Sequence, residues 1–431
     1  MKGVFINSDA WNFWVYNKPE DMTEKGIRDD VDFYTQNGGV EVIAYNMNFQ
    51  RIFFPSKSDK FTPIWKGISL NDEGKPVYNG KVVPDEYKTM AFNALKMHQD
   101  VPNFMQIRYD YCHEKGVEMW HSMRMNDVHH TPLQSEFWPQ HSDLWRSRKD
   151  LIRAWYRHTW RGDWNDNGFD YGKNEVYDYH LAMAKEYLLN FESDGIELDW
   201  MRAVPVFRPG FDEVCRDILT QFIRDVRYLA NMAEKKFGHR LRIAVRVPYY
   251  ITEAEALGMD IVTWAKENLI DIVIPSPKNL STEDDCPVRL WKQILPDSVQ
   301  ILPCIDYAVA GSRGVSLTTR QEIDNGFAAN YYYNGADSVY IYNHFPGNDV
   351  YGNQEQQKEF YGYAANRDEV EQRKRRHIVT SHDPTAEGFY DIRRYPSIIW
   401  PKCCNGTIRV NCGGKVQGKD AIVIVGSREE F

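Results

Sequence analysis

Residues 194–202 read Asp194-Gly195-Ile196-Glu197-Leu198-Asp199-Trp200-Met201-Arg202. Alternation with period two predicts a strand here, with Glu197 and Asp199 on one face and Ile196, Leu198 and Trp200 on the other. Seven further short apolar runs follow the same plan, beginning at Gly3 (GVFINSD), Val40 (VEVIAYN), Gly116 (GVEMWHSMR), Leu241 (LRIAVRVP), Ile270 (IDIVIPS), Val299 (VQILPCIDY) and Ala336 (ADSVYIYN). Helix-period segments lie between them, among them 23–36, 176–191, 212–236 and 318–334, the first with Thr23 as its N-cap. Strand and helix alternating eight times predict an α/β protein closed into a (β/α)8 TIM barrel. The rival is an open doubly wound sheet. It would place a GxGxxG or GxxxxGK[ST] turn after the first strand, which instead runs into Ser8, Asp9 and Trp11.

The strand starts are 29 to 46 residues apart except after the second and third, where the spacing rises to 76 and 79. Long loops are therefore expected after strands two and three, at the sheet end where barrel enzymes build their active sites. The third-unit insertion, 126–174, holds Trp138, Trp145, Trp155, Trp160 and Trp164, five of the chain's 13 tryptophans. Such rings present flat apolar faces with a polar edge, so this loop is expected to wall a binding cleft. After the eighth unit, Arg373-Lys374-Arg375-Arg376 reads as a solvated helix end or linker. Apolar runs at 406–411 and 420–425 then predict a small C-terminal β extension packed on the barrel, giving a barrel over 1–367 and an extension over 368–431.

Composition narrows the function classes. The chain has 431 residues, 42% hydrophobic and 26% charged, as in a globular protein with a large core. Its 52 basic and 61 acidic residues leave a net charge of −9, which offers no footprint for a phosphate backbone and excludes a non-specific nucleic-acid binder. Seven cysteines with no CxxC pair argue against a zinc ribbon or a disulfide framework. No apolar run approaches the ~20 residues of a membrane span, so a soluble chain is expected, with a periplasmic or secreted location open if a leader is absent from it.

Polar residues collect at the C-terminal ends of the predicted strands. Asp199 and, deeper, Glu197 come from the fourth. Inward carboxylates at a barrel mouth are costly unless paired or used, so they read either as catalytic groups or as ion-paired scaffolding. The third strand supplies His121, Arg124, Asn126 and Asp127. His121 reads equally as a core histidine, whereas a buried Arg124 demands an anionic partner such as Asp199 or a substrate carboxylate. Arg246 of the fifth strand is expected to pair with a carboxylate. Asp306 and Tyr307 end the seventh strand, Asn343 and His344 the eighth, and Asn7, Asp9 and Trp11 follow from the first.

Two carboxylates across an aromatic-lined cleft are what glycosidic cleavage requires: one protonates the leaving oxygen, the other attacks the anomeric carbon or activates water. A metal-dependent hydrolase would instead draw ligands from Asp9, His121, His129, His130 and Asp199, but no HxH or HExxH spacing is present and no metal or other cofactor is expected. No GxSxG elbow supports a serine nucleophile. A non-catalytic glycan-binding barrel is the third reading.

The 194–202 strand, with the opening Gly3-Val4-Phe5-Ile6-Asn7-Ser8-Asp9-Ala10-Trp11, resembles the glycoside-hydrolase-like barrel proteins of bacteria that share a DGI-x-[LF]-D-[WY]-x-R fourth strand. The resemblance runs over 1–367. It implies a hydrolase of an oligo- or polysaccharide, with Asp199 as the leading catalytic acid and Arg202 beside it. Amylase-like barrels carry a second acid at the end of strand five, where this chain has Val247-Pro248-Tyr249-Tyr250 and its nearest acids are Glu253 and Glu255. The cellulase-like clan pairs acids on strands four and seven. That pattern fits Asp199 and Asp306, although the clan uses Glu at both. Asp199 is thus expected to be nucleophile or base, and Asp306, or failing that Glu253, the acid, with Glu197, Arg124, Arg202 and Arg246 tuning their charge.

Overall fold

A computed structural model describes residues 2–129, 140–156, 163–277, 282–306, 308–310, 316–318, 321–343, 353–378 and 410–414. Nine strands make its central sheet: β1 (Val4–Ser8), β2 (Val40–Asn46), β3 (Glu118–Arg124), β4 (Gly195–Asp199), β5 (Arg242–Pro248), β6 (Ile272–Ser276), β7 (Gln300–Ile301), β8 (Cys304–Asp306) and β9 (Tyr340–Tyr342). All pairings are parallel, in the order β7-β6-β5-β4-β3-β2-β1-β9-β8. The seventh predicted strand is in fact two strands, β7 and β8, separated by Leu302 and Pro303. Proline has no N–H to give to a ladder. The segment therefore changes neighbours there: Leu302 N donates to Val273 O at 3.0 Å on the β6 side, while Pro303 O accepts from Tyr340 N at 3.1 Å on the β9 side. The two ends of the sheet are thus consecutive pieces of one segment, and the sheet is curled.

Two apolar cores follow from the alternation of side chains. One lies within the curl, where Phe5, Val42, Trp120, Ile272, Cys304 and Tyr340 belong to a single buried cluster. The larger one lies between the sheet and its helices. Trp200, next to Asp199, turns outward and meets Tyr171 and Phe222 with ring centroids 5.4 and 5.9 Å apart. Phe222 belongs to the helix Arg216–Phe237, which stops at Gly238 because the next residue must adopt φ 84°, a left-handed cap that glycine takes without strain. Gly195 is required for another reason. A Cβ there would lie 2.5 Å from the Trp120 ring and 2.7 Å from the Arg242 carbonyl oxygen.

The long segments after β2 and β3 are tied down by amide side chains. Asn48 accepts from the Arg124 N–H at 3.1 Å and donates to its carbonyl at 3.0 Å. Gln50 donates to the Asp127 carbonyl at 3.1 Å and accepts from the Ser142 N–H at 3.1 Å, so it joins the two insertions. Asn126 accepts from the Phe169 N–H at 2.8 Å and donates to its carbonyl at 3.0 Å. Within the first insertion, Ile68–Leu70, Pro76–Tyr78 and Lys81–Val82 form a small antiparallel sheet.

The basic run after the last helix, Arg367–Gln372, lies in surface ion pairs: Arg373 bonds Glu359 and Glu369, and Lys374 and Arg376 bond Glu322. Of the predicted C-terminal β segments, 420–425 and most of 406–411 lie outside the described residues. Asn411 donates to Asp285 at 3.3 Å, and Gly413 lies against the helix Gln321–Tyr333. Among the described residues no helix is long and apolar enough to cross a membrane.

Candidate active site

Register stacks the inward side chains in layers. At the lowest level Trp120, Gly195 and Arg242 are partners, and the Arg242 guanidinium lies 5.2 Å from the Trp120 ring, closing the floor. The next level places Ser122 beside Glu197 and Ala244, and the level above it Arg124 beside Asp199 and Arg246. Two-residue periodicity alone thus brings the Arg–Asp–Arg row to the C-terminal end of β3, β4 and β5.

Glu197 is fully buried. It accepts from Asn7 Nδ2 at 2.8 Å and from the Tyr340 hydroxyl, and Asn7 also donates to Ser122 Oγ at 2.9 Å. Burial and the neighbouring Asp199 carboxylate push its pKa up to about 7, against the opposing pull of Tyr340, Arg246 and Ser122. Asp199 is salt-bridged: both its oxygens lie 3.1 Å from Arg246 Nη1. Arg246 also donates through Nε to Ser276 Oγ at 3.0 Å and stacks on Tyr342, its guanidinium carbon 3.7 Å from the ring. Burial opposes the Arg246 charge, but Asp199 and Tyr342 more than offset it and raise its pKa well above the ordinary value.

The β1 and β3 side forms a second ionic chain. Arg124 donates to Asp9 at 2.6 Å and to Asp127 at 3.3 Å, and Asp127 lies 2.8 Å from His129 Nδ1. Asp9 in turn accepts from the Trp11 N–H at 3.1 Å, capping the helix Ala10–Tyr16. Arg124 sits 4.7 Å from the Phe49 ring, and Phe49 meets Trp11 at 4.9 Å and His129 at 5.0 Å. Trp11 and Arg124 are thus joined through Phe49, a phenylalanine of the first insertion that the sequence reading passed over.

Asp306 is buried at the end of β8, directly beside Tyr342 in register. Its N–H donates to Thr282 Oγ1 at 2.8 Å, and Asn343 Nδ2 lies 3.4 Å from its Oδ1. Asn343, the residue after β9, takes φ 60°, in the left-handed region. Asp199 and Asp306 thus belong to one end of the sheet, with Arg246 and Tyr342 between them. Arg202 reaches the same place, donating through Nε to the Tyr342 hydroxyl at 2.7 Å.

Several expected residues lie elsewhere. His121 faces the helices, 5.8 Å from Tyr187 and 6.5 Å from Phe191, and burial lowers its pKa to about 4. Its odd register position dictates this, because Trp120 and Ser122 occupy the inner face. Asn126 is committed to Phe169, so it shapes the loop. Glu253 is buried in the helix Ile251–Ala256, which follows β5, as the sequence placed it. Tyr307 and His344 lie outside the described residues, as do Trp138, Trp160 and the Trp164 side chain. Trp145 is buried within its insertion, its Nε1 donating to the Asn167 carbonyl at 2.7 Å, whereas Trp155 and Tyr156 are 54% and 60% exposed. The expected aromatic wall is in this respect split between packing and presentation. Tyr340 and Tyr342, spaced by two on the last strand, were the legible signal for the inner face of β9 that the reading missed.

Of the metal ligands offered by the sequence, His121 faces the helices, Asp9 is bound to Arg124, His129 to Asp127 and Asp199 to Arg246, and His130 lies outside the described residues. Among the described residues no group of three or more His, Cys, Asp or Glu could hold a metal ion.

No family model matches the chain, and no curated protein does. Among solved structures it is similar to a GH138 enzyme targeting pectin rhamnogalacturonan II, with a TM-score of 0.45, 11% identity and coverage of 86% of this chain and 39% of that one. It is similar also to the β-galactosidase from the psychrophilic Marinomonas ef1, with a TM-score of 0.43, 8% identity and coverage of 84% and 58%. A GH36 α-galactosidase from Geobacillus stearothermophilus gives 0.40, 12%, and coverage of 84% and 40%. The chain spans between 39% and 58% of the length of these three, and the activities named are theirs.

Proposed function

We propose that the chain is a glycoside hydrolase whose catalytic unit, residues 1–367, is a closed (β/α)8 barrel, with 368–431 as a C-terminal extension. The observation that carries this reading is the pair Asp199 and Asp306, two inward carboxylates at the same end of the sheet on either side of the Arg246–Tyr342 stack. Asp199, oriented by Arg246, attacks the anomeric carbon or takes a proton from water. Asp306, rather than Glu253, protonates the leaving oxygen, with the Asn343 amide beside it. Glu197 sits one layer below, hydrogen-bonded by Asn7 and Tyr340, and adds or withholds a negative charge under Asp199 according to pH. Exposed Trp155 and Tyr156, on the insertion that follows β3, supply stacking surface for sugar rings.

A non-catalytic glycan-binding barrel is favoured by one observation: Asp199 and Arg246 are 1% and 2% exposed and satisfy each other. A panel of plant, algal and bacterial polysaccharides separates the two readings. The hydrolase reading expects reducing ends to be released by the wild type and this release to fall at least about a thousandfold in Asp199→Asn. Binding without product release on any member, or an Asp199→Asn enzyme retaining most of its activity, overturns it.

A further inference from the structure

The carboxylates at the mouth are unevenly shared among its three arginines. Arg124 is neutralised by Asp9 and Asp127, and Arg246 by Asp199. Arg202 has only the Tyr342 hydroxyl, taken by its Nε, and the edge of the same ring at 5.7 Å. Among the described residues its terminal nitrogens Nη1 and Nη2 have no hydrogen-bond or ion-pair partner. The side chain is partly buried, beside two other guanidinium groups that share Tyr342, which is the register partner of Asp306. The Asp127 carboxylate feels its charge but is bonded to Arg124 and His129 instead, so the two terminal donors of Arg202 stay open for an anion. Its Nε anchor is also what fixes the planar fork, so the two open donors are presented side by side.

We propose that Arg202 binds a carboxylate of the substrate, so that the glycan cleaved here carries a uronic acid at the sugar adjoining Asp199 and Asp306. The inference rests on the reading of this mouth as a glycan site. It follows from geometry: a planar, two-oxygen anion fills Nη1 and Nη2 together, and a neutral hydroxyl leaves one donor and the whole charge uncompensated. Tyr342 is a positioning residue in this scheme, holding Arg202 at one end and Arg246 at its face.

The test uses matched pairs. Oligogalacturonate, oligoalginate and glucuronate-bearing xylo-oligosaccharides are each compared with the same oligomer after carboxyl reduction, and with a sulfated neutral oligosaccharide, for cleavage and for binding by calorimetry. The expected result is a kcat/KM at least about tenfold higher for one acidic oligomer than for its reduced partner, with that ratio falling at least about tenfold in Arg202→Gln and, through KM, in Tyr342→Phe. Melting curves of both variants confirm that they fold. Cleavage of the reduced partner as readily as the acidic one overturns the uronate inference and leaves the hydrolase reading standing. A preference for the sulfated oligomer overturns it likewise. Arg202-dependent binding of the acidic oligomer without cleavage does the reverse: it upholds the inference and removes the hydrolase reading. Neither binding nor cleavage of any pair overturns both.

Discussion

Glu197 is where the strand's chemistry is most unusual, because a carboxyl with no solvent contact keeps its proton to about pH 7 while an unfolded chain releases it near 4.5. Between these values the folded state binds more protons than the unfolded one, so this group makes stability fall as pH rises through that window and level off above it. The expected size is roughly 2–3 kcal/mol. Denaturant unfolding at pH 4.5 to 8 checks it: Glu197→Gln, which keeps the side chain's shape and can still accept from Asn7 while its amide donates to the Tyr340 oxygen, removes this component of the slope, and an identical slope in both proteins would refute the assignment. Arg246 gives a second residue-scale expectation. Arg246→Met strips Asp199 of its buried partner, and breaking such a pair costs about 3–5 kcal/mol. Thermal unfolding measures this loss, and the double variant Asp199→Leu/Arg246→Met recovers a large part of it if the pair itself, rather than packing, is responsible.

At the scale of the element, β4 shows what sequence can and cannot reveal. Its faces were legible because alternation is a property of the strand itself: Glu197 and Asp199 inward, Trp200 outward onto Phe222. Gly195 was legible as an opening glycine but not as the neighbour of Trp120, a contact made across two strands. Gly195→Ala is expected to cost about 1–3 kcal/mol by overpacking, read as a lower denaturation midpoint with an unchanged slope. The break of the seventh strand at Pro303 had its signal in the proline, but the exchange of partners from β6 to β9 depends on the whole sheet. His121 was misdirected for a similar reason: a polar residue near a strand end suggested the mouth, although the parity set by Trp120 already placed it outside. Asn126 went the same way, because nothing local announces that its amide will grip Phe169. Asn126→Ala removes both of those hydrogen bonds, and is expected to destabilise by about 2 kcal/mol and to speed amide exchange in residues 140–156 and 163–170 more than in β4.

Across the whole molecule, the chain gathers its chemistry from nearly every unit at one end of one curled sheet. Asp9 and Trp11 come from the first unit, Phe49 from the second, Arg124 and Asp127 from the third, Asp199 and Arg202 from the fourth, Arg246 from the fifth, and Asp306 and Tyr342 from β8 and β9. No one of these segments identifies a site alone, which is why strand four drew attention while Tyr342, the ring on which Arg202 and Arg246 meet, did not. The central claim is a division of labour between Asp199 and Asp306, and leaving-group dependence tests it most directly. On the sugar identified by the polysaccharide panel, Asp199→Asn and Asp306→Asn are compared using the natural linkage and a dinitrophenyl glycoside, whose departure needs no proton. The account predicts that Asp199→Asn loses both activities by about a thousandfold or more, whereas Asp306→Asn loses the natural linkage but keeps the dinitrophenyl glycoside within about tenfold of wild type. Equal losses on both substrates for Asp306→Asn, or survival of either activity in Asp199→Asn, would contradict it.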